Sequence, residues 1–376
     1  MSIFSKLNEM RDSGGTRVTD GLSDSIIKTF SAKDNKLSIA VNDAYEAFVS
    51  LKQEFPEMLA LDEIDQVVSM HAEIINFYTD DAVNPYVTLA ANGPWVITSK
   101  GAVIYDTGGY GMLGFGHAPE NILKAMCQRH VMANIMTANF SQLRMSDALR
   151  KEIAQSTDYC PYDGFLCLNS GSEAISLGAR ISDISAKLAT GADGAYAGQK
   201  IKHIALEGGF HGRTDRPAQY SDSTRATYLK HLASFQDEAT LLTVKPNDVQ
   251  HLQQVFDQAI TDGFFVESMF IEPVMGEGNP GQAITREFYD LARKLTSQHG
   301  ALLLVDSIQA GLRAHGCLSI IDYPGFEGIE APDMEAFSKA LNAGQYPLSV
   351  LAVTERGTQL YKKGVYGNTM TSNPVP

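Results

Sequence analysis

Apolar runs and amphipathic stretches alternate along the chain from about residue 140 onward. The runs GFLCLN, KHIALE, FFVESMFIEP and ALLLVDS are typical of strands that are buried on both faces. The stretches beside them carry apolar residues at helical spacing: SQLRMSDALRKEIAQ, SEAISLGARISDISAKLA, NDVQHLQQVFDQAI and TREFYDLARKLTSQHG. This alternation predicts an α/β fold with a large, mixed, mostly parallel sheet and helices on both faces.

The first 80 or so residues follow a different pattern. They are polar, and the stretches NDAYEAFVSLKQEF and LDEIDQVVSMHAEIINFY carry apolar residues at helical spacing with acidic residues near their starts. We expect a helical extension that lies on the surface or contributes to a subunit contact. The following stretch, PYVTLAANGPWVITSKGAVIYDTGG, has short β-branched and aromatic runs broken by Gly and Pro, which predicts a hairpin.

Charge and cysteine usage narrow the class of protein. The 376-residue chain has a formal net charge of -14, which argues against nucleic acid or an anionic membrane surface as its main partner. Its four cysteines form no C-x-x-C pair, and its nine histidines show no ligand spacing, so we expect neither disulfides nor a metal site. Without a signal-type apolar core or a run long enough to cross a bilayer, the sequence predicts a cytoplasmic protein.

Residues that bind ligands or carry chemistry are expected just after each predicted strand, because ligands bind beyond the carboxyl ends of strands in such sheets. After GFLCLN, the residues Ser170-Gly171-Ser172-Glu173 open a helix. Free backbone N–H groups and the positive end of the helix dipole would suit a phosphate there. An ordinary N-cap with an acidic first turn explains the same residues.

Two further strand ends carry polar and aromatic residues. After KHIALE, Phe210 could stack on a planar ligand and Arg213 could hold a carboxylate or phosphate. A tight turn with a packing aromatic explains the same loop equally well. After the run FFVESMFI come Glu272 and Glu277, which are either acid/base or gating groups or members of a solvated loop.

The most specific strand end is LLLVDSIQAG, residues 302–311. A buried carboxylate is costly unless it is paired, so Asp306 either caps the next helix or meets a charged group. Lys339, in EAFSKALNAG, would normally be solvated, but a desolvated lysine amine is the usual partner of a carbonyl cofactor. A phosphate cradle, a stacking aromatic, an acid, an amide and such a lysine are together what pyridoxal 5'-phosphate requires.

Six motifs make this hypothesis specific: NSGSEA, FHGRT, EPVMGE, DSIQAG, FSKALNAG and TMTSNP. In order and approximate spacing, the chain from about residue 85 to 376 resembles the class III pyridoxal-phosphate aminotransferases, the group of ornithine, acetylornithine, 4-aminobutyrate and lysine ε-aminotransferases. The resemblance implies a fold type I architecture with a smaller flanking domain, and a homodimer with shared active sites. It also implies a large cofactor-binding domain over 81–345 and the start of a C-terminal small domain, expected to be incomplete, over 346–376. Residues 1–80 exceed what the family usually carries, and we expect them to form a helical N-terminal extension that is part of the small domain or a dimer contact.

The resemblance also implies roles for individual residues. Lys339 resembles the lysine that binds the cofactor and then moves the proton, and Asp306 resembles the acid paired with the pyridine nitrogen. By the same resemblance, Ile308 and Phe210 are expected to cover the two faces of the ring, and Gln309 to lie near its phenolic oxygen. Gly171 and Ser172 are expected to hold the phosphate, and Thr369 to contact the phosphate bound in the neighbouring subunit.

For the substrates, the resemblance implies an amino donor and a keto or aldehyde acceptor that react by a ping-pong route. Arg213 resembles an arginine that holds a substrate carboxylate, and Glu277 resembles a glutamate that gates this site. The chain departs from the family beside Asp306, where Ser307 replaces the usual Glu, and in QAGLRAHG, where Arg313 comes one place early. We expect these departures to affect substrate preference and subunit contacts more than the cofactor chemistry.

Other functions remain as alternatives. Gly109, Gly111 and Gly114 fit the dinucleotide-binding pattern G-x-G-x-x-G, but no helix is predicted to open at Gly114, as that site requires. Relatives with the same six motifs include racemases, aminomutases and decarboxylases, which would use the same cofactor for another reaction. A catalytically altered homologue is a further alternative, against which the joint presence of Lys339, Asp306 and Gln309 argues.

Overall fold

The computed structural model describes residues 1–131, 136–157, 159–235 and 240–371. The chain divides into two compact units. The first comprises Met1–Gly109 and Phe115–Cys127, and the second comprises Tyr110–Gly114 and Gln128–Pro376. The functional domain boundaries expected from the family resemblance, after residues 80 and 345, remain predictions.

The first unit combines helices with a small sheet. Its helices are α1 (Ile3–Arg11), α2 (Asp24–Ser31), α3 (Asn35–Glu54), α4 (Pro56–Ala60), α5 (Glu63–His71) and α6 (Glu120–Met126). Its strands are β1 (Thr88–Asn92), β2 (Trp95–Thr98) and β3 (Val103–Tyr105), which form an antiparallel sheet in the order β1-β2-β3. The predicted hairpin thus has a third strand.

Helix α3 supplies much of the first unit's core. Leu37, Val41, Ala44 and Phe48 are fully buried along one face of the helix, in a cluster with Trp95 and other residues of the sheet. This spacing is the amphipathic pattern seen in the sequence. The second predicted helix is shorter than its pattern, because α5 ends at His71. The apolar side chains beyond it lack a core to pack against and are largely exposed: Ile74 79%, Ile75 88% and Phe77 78%.

The second unit has the predicted strand–helix alternation. Its helices are α7 (Phe140–Ile153), α8 (Gly171–Thr190), α9 (Asp215–Tyr220), α10 (Arg225–His231), α11 (Val249–Thr261), α12 (Arg286–Gln298) and α13 (Glu355–Leu360). Its strands are β4 (Gly164–Leu168), β5 (Lys200–Leu206), β6 (Leu241–Val244), β7 (Phe264–Ile271), β8 (Leu302–Asp306), β9 (Met334–Phe337) and β10 (Ser349–Val353).

These strands form one sheet in the order β4-β10-β9-β8-β7-β5-β6. Strand β10 runs antiparallel to both of its neighbours, and the other pairs are parallel. The predicted mixed, mostly parallel sheet is therefore confirmed. Because β4 and the parallel strands point the same way, their carboxyl ends lie along one edge of the sheet.

Helices cover both faces of the sheet. Alternate residues of β8 belong to different clusters: Leu302 and Leu304 pack with α8, whereas Leu303 and Val305 pack with α7, α11 and α12. This arrangement explains why the strand reads as a continuous apolar run rather than an alternating one. Among the described residues, no helix is long and apolar enough to span a bilayer.

Candidate active site

The polar residues expected at strand ends meet at the carboxyl edge of the large sheet. Asp306 is the last residue of β8, Glu272 follows β7 directly, and Lys339 lies two residues beyond β9. The N-terminus of α8 lies at the same edge, after β4. Parallel strands bring these residues together although up to 168 positions separate them in the sequence.

Asp306 is buried and pairs with His211, which is not among the predicted site residues. It is 4% exposed, and its Oδ2 lies 2.8 Å from Nδ1 of His211. Its Oδ1 accepts the backbone N–H of Ile308 at 3.1 Å. Burial opposes protonation of His211, but the hydrogen bond to Asp306 and the nearby carboxylate charges outweigh burial and raise the pKa of His211. The other ring nitrogen, Nε2, is buried without a hydrogen-bond partner in the described structure.

Lys339 lies in a strained turn and contacts Gln309. Its φ is 44°, in the left-handed region that a residue with a side chain rarely adopts. Its Nζ donates a hydrogen bond to Oε1 of Gln309 at 2.9 Å. Burial lowers the pKa of Lys339, although three carboxylates at this edge act in the opposite direction: Asp306, Glu272 and Glu277. A lower pKa leaves more of the lysine as the neutral amine near neutral pH, and only the neutral amine can act as a nucleophile or accept a proton.

Glu272 is the second buried acid of the cluster. It is 3% exposed, and its two oxygens accept the backbone N–H groups of Phe210 and Gly276, each at 2.9 Å. Burial raises the pKa of Glu272 to about 7, and the charge of Asp306 acts in the same direction. Glu272 is not among the predicted site residues, although, like Asp306, it is a carboxylate at the end of a buried strand.

The N-terminus of α8 is built as a capping box. The Ser170 side chain accepts the N–H of Glu173, and the Glu173 side chain accepts the N–H of Ser170. Gly171 and Ser172 are therefore the first two residues of the helix, and no preceding helical turn supplies carbonyl groups that could accept hydrogen bonds from their N–H groups.

Two close approaches place this helix end against the rest of the site. A Cβ on Gly171 would lie 2.8 Å from Cδ1 of Ile308, and a Cβ on Gly212 would lie 2.5 Å from Oγ of Ser172. Gly212 also has a φ of 118°, which favours glycine. The helix end thus lies directly beside the loop after β5 and the turn after β8.

Arg213 and Glu277 form an ion pair on the more exposed side of the cluster. Nη2 of Arg213 lies 2.6 Å from Oε1 of Glu277, with the side chains 39% and 31% exposed. The Arg213 guanidinium also lies over the Phe210 ring, 5.3 Å from its centroid. The pair joins the loop after β5 to the loop after β7.

The structure brings nine of the ten predicted site residues to this edge. Thr369 differs: it is exposed, in a segment where Asn368 donates to Oε1 of Glu173 at 2.9 Å. Its role toward a neighbouring subunit remains a prediction, and residues 372–374 of the TMTSNP motif lie outside the described residues. The other roles are likewise predictions that this geometry supports.

The two departures from the family pattern also have defined positions. Oγ of Ser307 donates to Oε1 of the buried Glu335, on the neighbouring strand β9, at 2.5 Å. Arg313 lies against Gly111, where a Cβ would be 2.8 Å from its Cδ, and its charge contributes to lowering the pKa of Lys339.

Known proteins of one enzyme family resemble this chain in sequence. The acetylornithine aminotransferase of Neisseria meningitidis serogroup B is 27% identical over 307 residues, covering 80% of this chain and 69% of the relative. An ornithine aminotransferase of Staphylococcus aureus is 26% identical over 313 residues, covering 81% and 72%.

Solved structures show the same fold. The ornithine aminotransferase of Toxoplasma gondii ME49 superposes with a TM-score of 0.68 at 22% identity, covering 86% of this chain and 71% of that one. The taurine:2-oxoglutarate aminotransferase of Bifidobacterium kashiwanohense, solved with PLP and glutamate, gives 0.66 at 16% identity, with 83% and 70% covered. The predicted fold type I architecture is thereby confirmed.

The family model for "Aminotransferase class-III" matches residues 78–376. Because this match covers most of the chain, the protein belongs to the class-III aminotransferase family, as its six motifs predicted.

Proposed function

We propose that the protein transfers an amino group from an amino acid or ω-amine donor to a keto acid or aldehyde acceptor by a ping-pong route, at the carboxyl edge of the large sheet. Its membership of the class-III family makes it an aminotransferase that depends on pyridoxal 5'-phosphate. The observation that carries the proposed site is the position of Lys339, which is desolvated, strained and bonded to Gln309 beside two buried acids.

The residues present fit this cofactor. A planar ring requires an acid for its nitrogen and apolar groups on its faces, which Asp306, Ile308 and Phe210 can supply. A phosphate requires free N–H groups, which Gly171 and Ser172 present at the end of a 20-residue helix. The cofactor supplies an aldehyde that binds amines and a ring that accepts negative charge from the substrate carbon.

Within this proposal the protein's residues bind, orient and move protons. Lys339 holds a proton at Nζ and gives it to, or takes it from, the substrate, which its lowered pKa favours. Gln309 orients Nζ by accepting its hydrogen bond. Asp306 would supply the negative charge for the ring nitrogen of the cofactor, and His211 orients this carboxylate through Oδ2.

Arg213 and Glu277 are proposed to select substrates. When the substrate has no second carboxylate, Glu277 stays paired with the Arg213 guanidinium. A substrate carboxylate must therefore displace Glu277 to reach Arg213. The charge-assisted hydrogen bonds that an arginine makes to a carboxylate would then favour the incoming acid. The names of the relatives, which include ornithine and taurine aminotransferases, suggest the donors to test first.

A homodimer is the proposed assembly, and exposed apolar surface on the second unit supports it. Several large apolar side chains on or near α7 are exposed: Met136 85%, Phe140 77% and Leu143 54%. They flank a cavity of about 790 Å³ between α7, the edge strand β4 and residues 366–371. An open strand edge beside apolar surface is typical of a face that a partner covers. A cytoplasmic location remains a prediction from the sequence.

The experiment is an absorbance titration of the purified holoenzyme. L-Ornithine, N-acetyl-L-ornithine, taurine and L-glutamate are added singly, without an acceptor, and then a keto acid is added. We expect a donor to shift the visible absorbance and the keto acid to reverse the shift. Lys339→Ala should lose both the wild-type spectrum and turnover; if it retained both, the site would be wrong. Turnover of an amino acid without any keto acid would instead indicate a racemase, mutase or decarboxylase.

A further inference from the structure

Glu272 joins two loops that follow different strands. Its Oε1 accepts the N–H of Phe210, in the loop after β5, and its Oε2 accepts the N–H of Gly276, in the loop after β7. It is 3% exposed, and no basic side chain is bonded to it among the described residues. A buried carboxylate without a bonded cation costs free energy, so the position calls for a reason.

The two loops carry much of the candidate site. The first loop carries Phe210, and the second leads to Glu277. Gly276 lies close to Gln309, because a Cβ added at this glycine would lie 2.3 Å from Oε1 of Gln309. The same oxygen accepts the hydrogen bond from Nζ of Lys339. Movement of Gly276 would therefore be passed to Lys339 through Gln309.

A carboxylate suits this position better than an amide. Each of its oxygens can accept a backbone N–H, whereas a glutamine has one acceptor oxygen and an NH₂ group that would face the second N–H. An aspartate has both acceptors but is one methylene shorter, so it cannot reach both loops at their present spacing. Only an ionised glutamate keeps two equivalent acceptors at this distance.

We propose that Glu272 is a positioning residue, whose carboxylate holds the Phe210 loop and the Gly276 loop at the spacing that the cofactor ring and Lys339 require. This inference rests on the proposed function, because it assigns Glu272 a role in the same site. Glu272 acts through the two loops, so its effect should appear in the rate of the donor half-reaction and in its pH dependence.

Protonation should weaken this connection. Because the pKa of Glu272 is about 7, proton uptake near neutral pH turns one of its acceptors into a hydroxyl and loosens one loop. The titratable groups that face it are His211 from the loop after β5, Asp306 from β8 and Lys339 from the turn after β9. We therefore expect the fall in rate on the acidic side of the pH profile to reflect protonation of this cluster as a whole. Glu272 is the member of the cluster whose protonation changes the position of the loops.

The first test uses the holoenzyme and three variants. Glu272→Gln and Glu272→Asp are compared with the control Glu207→Gln, which removes a carboxylate beyond the end of neighbouring strand β5. The rate of the donor-induced absorbance change is measured against donor concentration, from about pH 5.5 to 9. We expect Glu272→Gln to keep the cofactor spectrum, lose roughly 10- to 100-fold in rate at saturating donor, and lose the acidic limb.

The other variants separate charge from geometry. Glu272→Asp should be slow as well but should keep an acidic limb, and Glu207→Gln should match the wild type. If Glu272→Gln showed the wild-type rate and the wild-type acidic limb, the proposal would be overturned. Absence of a donor response from the wild type with every donor would instead contradict the proposed function, and the next measurement would still decide the role of Glu272.

The second test needs no variant and no substrate. Amide hydrogen exchange of the wild-type protein is followed at the two loops, residues 207–214 and 273–278, and corrected for the intrinsic pH dependence of exchange. As the pH falls through about 7, we expect both loops to lose protection while strand β8 keeps it. Unchanged protection of both loops across this range would overturn the proposal even if Glu272→Gln failed to fold.

Discussion

Ser307 donates a hydrogen bond to Glu335 across two neighbouring strands, with Oγ 2.5 Å from Oε1. Glu335 is fully buried, and three further donors approach it: the Ser319 hydroxyl, the Ile320 N–H and the Tyr162 hydroxyl. Ser307 therefore occupies a definite place, although the sequence alone marked it only as a departure from the family. It ties the turn that begins after Asp306 to a buried carboxylate on β9.

Removal of Glu335 should destabilise the second unit. In Glu335→Ala, four donors lose their acceptor inside the core, and we expect the free energy of unfolding to fall by about 2–4 kcal/mol. Ser307→Ala removes only one donor and should cost about 1–2 kcal/mol. Urea unfolding followed by circular dichroism measures both values. Equal costs for the two variants would contradict the view that Glu335 is the centre of the cluster.

A side chain at Gly276 should displace Gln309. Gly276→Ala places a Cβ within 2.3 Å of Oε1 of Gln309, so the amide must move away from Lys339, and we expect roughly a 10- to 100-fold lower rate of the donor half-reaction. Gly164→Ala is the matched control, because nothing lies within 4 Å of its Cβ position. Stopped-flow absorbance compares the variants. An unchanged rate for Gly276→Ala would show that Lys339 does not need Gln309 in its present position.

The raised pKa of Glu272 should also appear in stability. Its folded-state pKa, about 7, lies above the ordinary value of 4.5, so the folded state binds the proton more tightly. The resulting stability is fully present below pH 4.5 and is lost as the pH rises to about 7. Over this window, we expect wild-type stability to fall relative to that of Glu272→Gln by on the order of 3 kcal/mol. Unfolding at several pH values tests this, and parallel curves would show that the pKa is not raised.

The proposed dimer face can be tested with a charge. Phe140 is 77% exposed at the start of α7, so Phe140→Glu should leave the fold of a single chain intact and weaken association. Light scattering after gel filtration should show a dimer for the wild type and a larger monomer fraction for the variant. Lys294→Ala, on the exposed side of α12, serves as a surface control. A wild-type monomer, or a variant that remains fully dimeric, would contradict the proposed face.

Much of the fold could be predicted from the sequence because its signals are local. Continuous apolar runs and helical spacing identified β4, β5, β7, β8 and the helices beside them, and these signals depend only on residues near one another. The short strand β10 did not stand out, and its antiparallel direction depends on pairing with β4 and β9. The helical spacing also continued past His71, where α5 ends, because spacing does not report whether a core is available.

The sequence by itself determined the family, the sheet and the candidate residues at its strand ends, since each follows from a local pattern or a motif. Only the tertiary structure decided their partners. His211 pairs with Asp306 across 95 residues of sequence, Glu272 accepts the N–H of Phe210 across 62, and Ser307 meets Glu335 across 28. Such contacts are set by the order of the strands in the sheet, and burial at those contacts then shifts the pKa values on which the proposed chemistry depends.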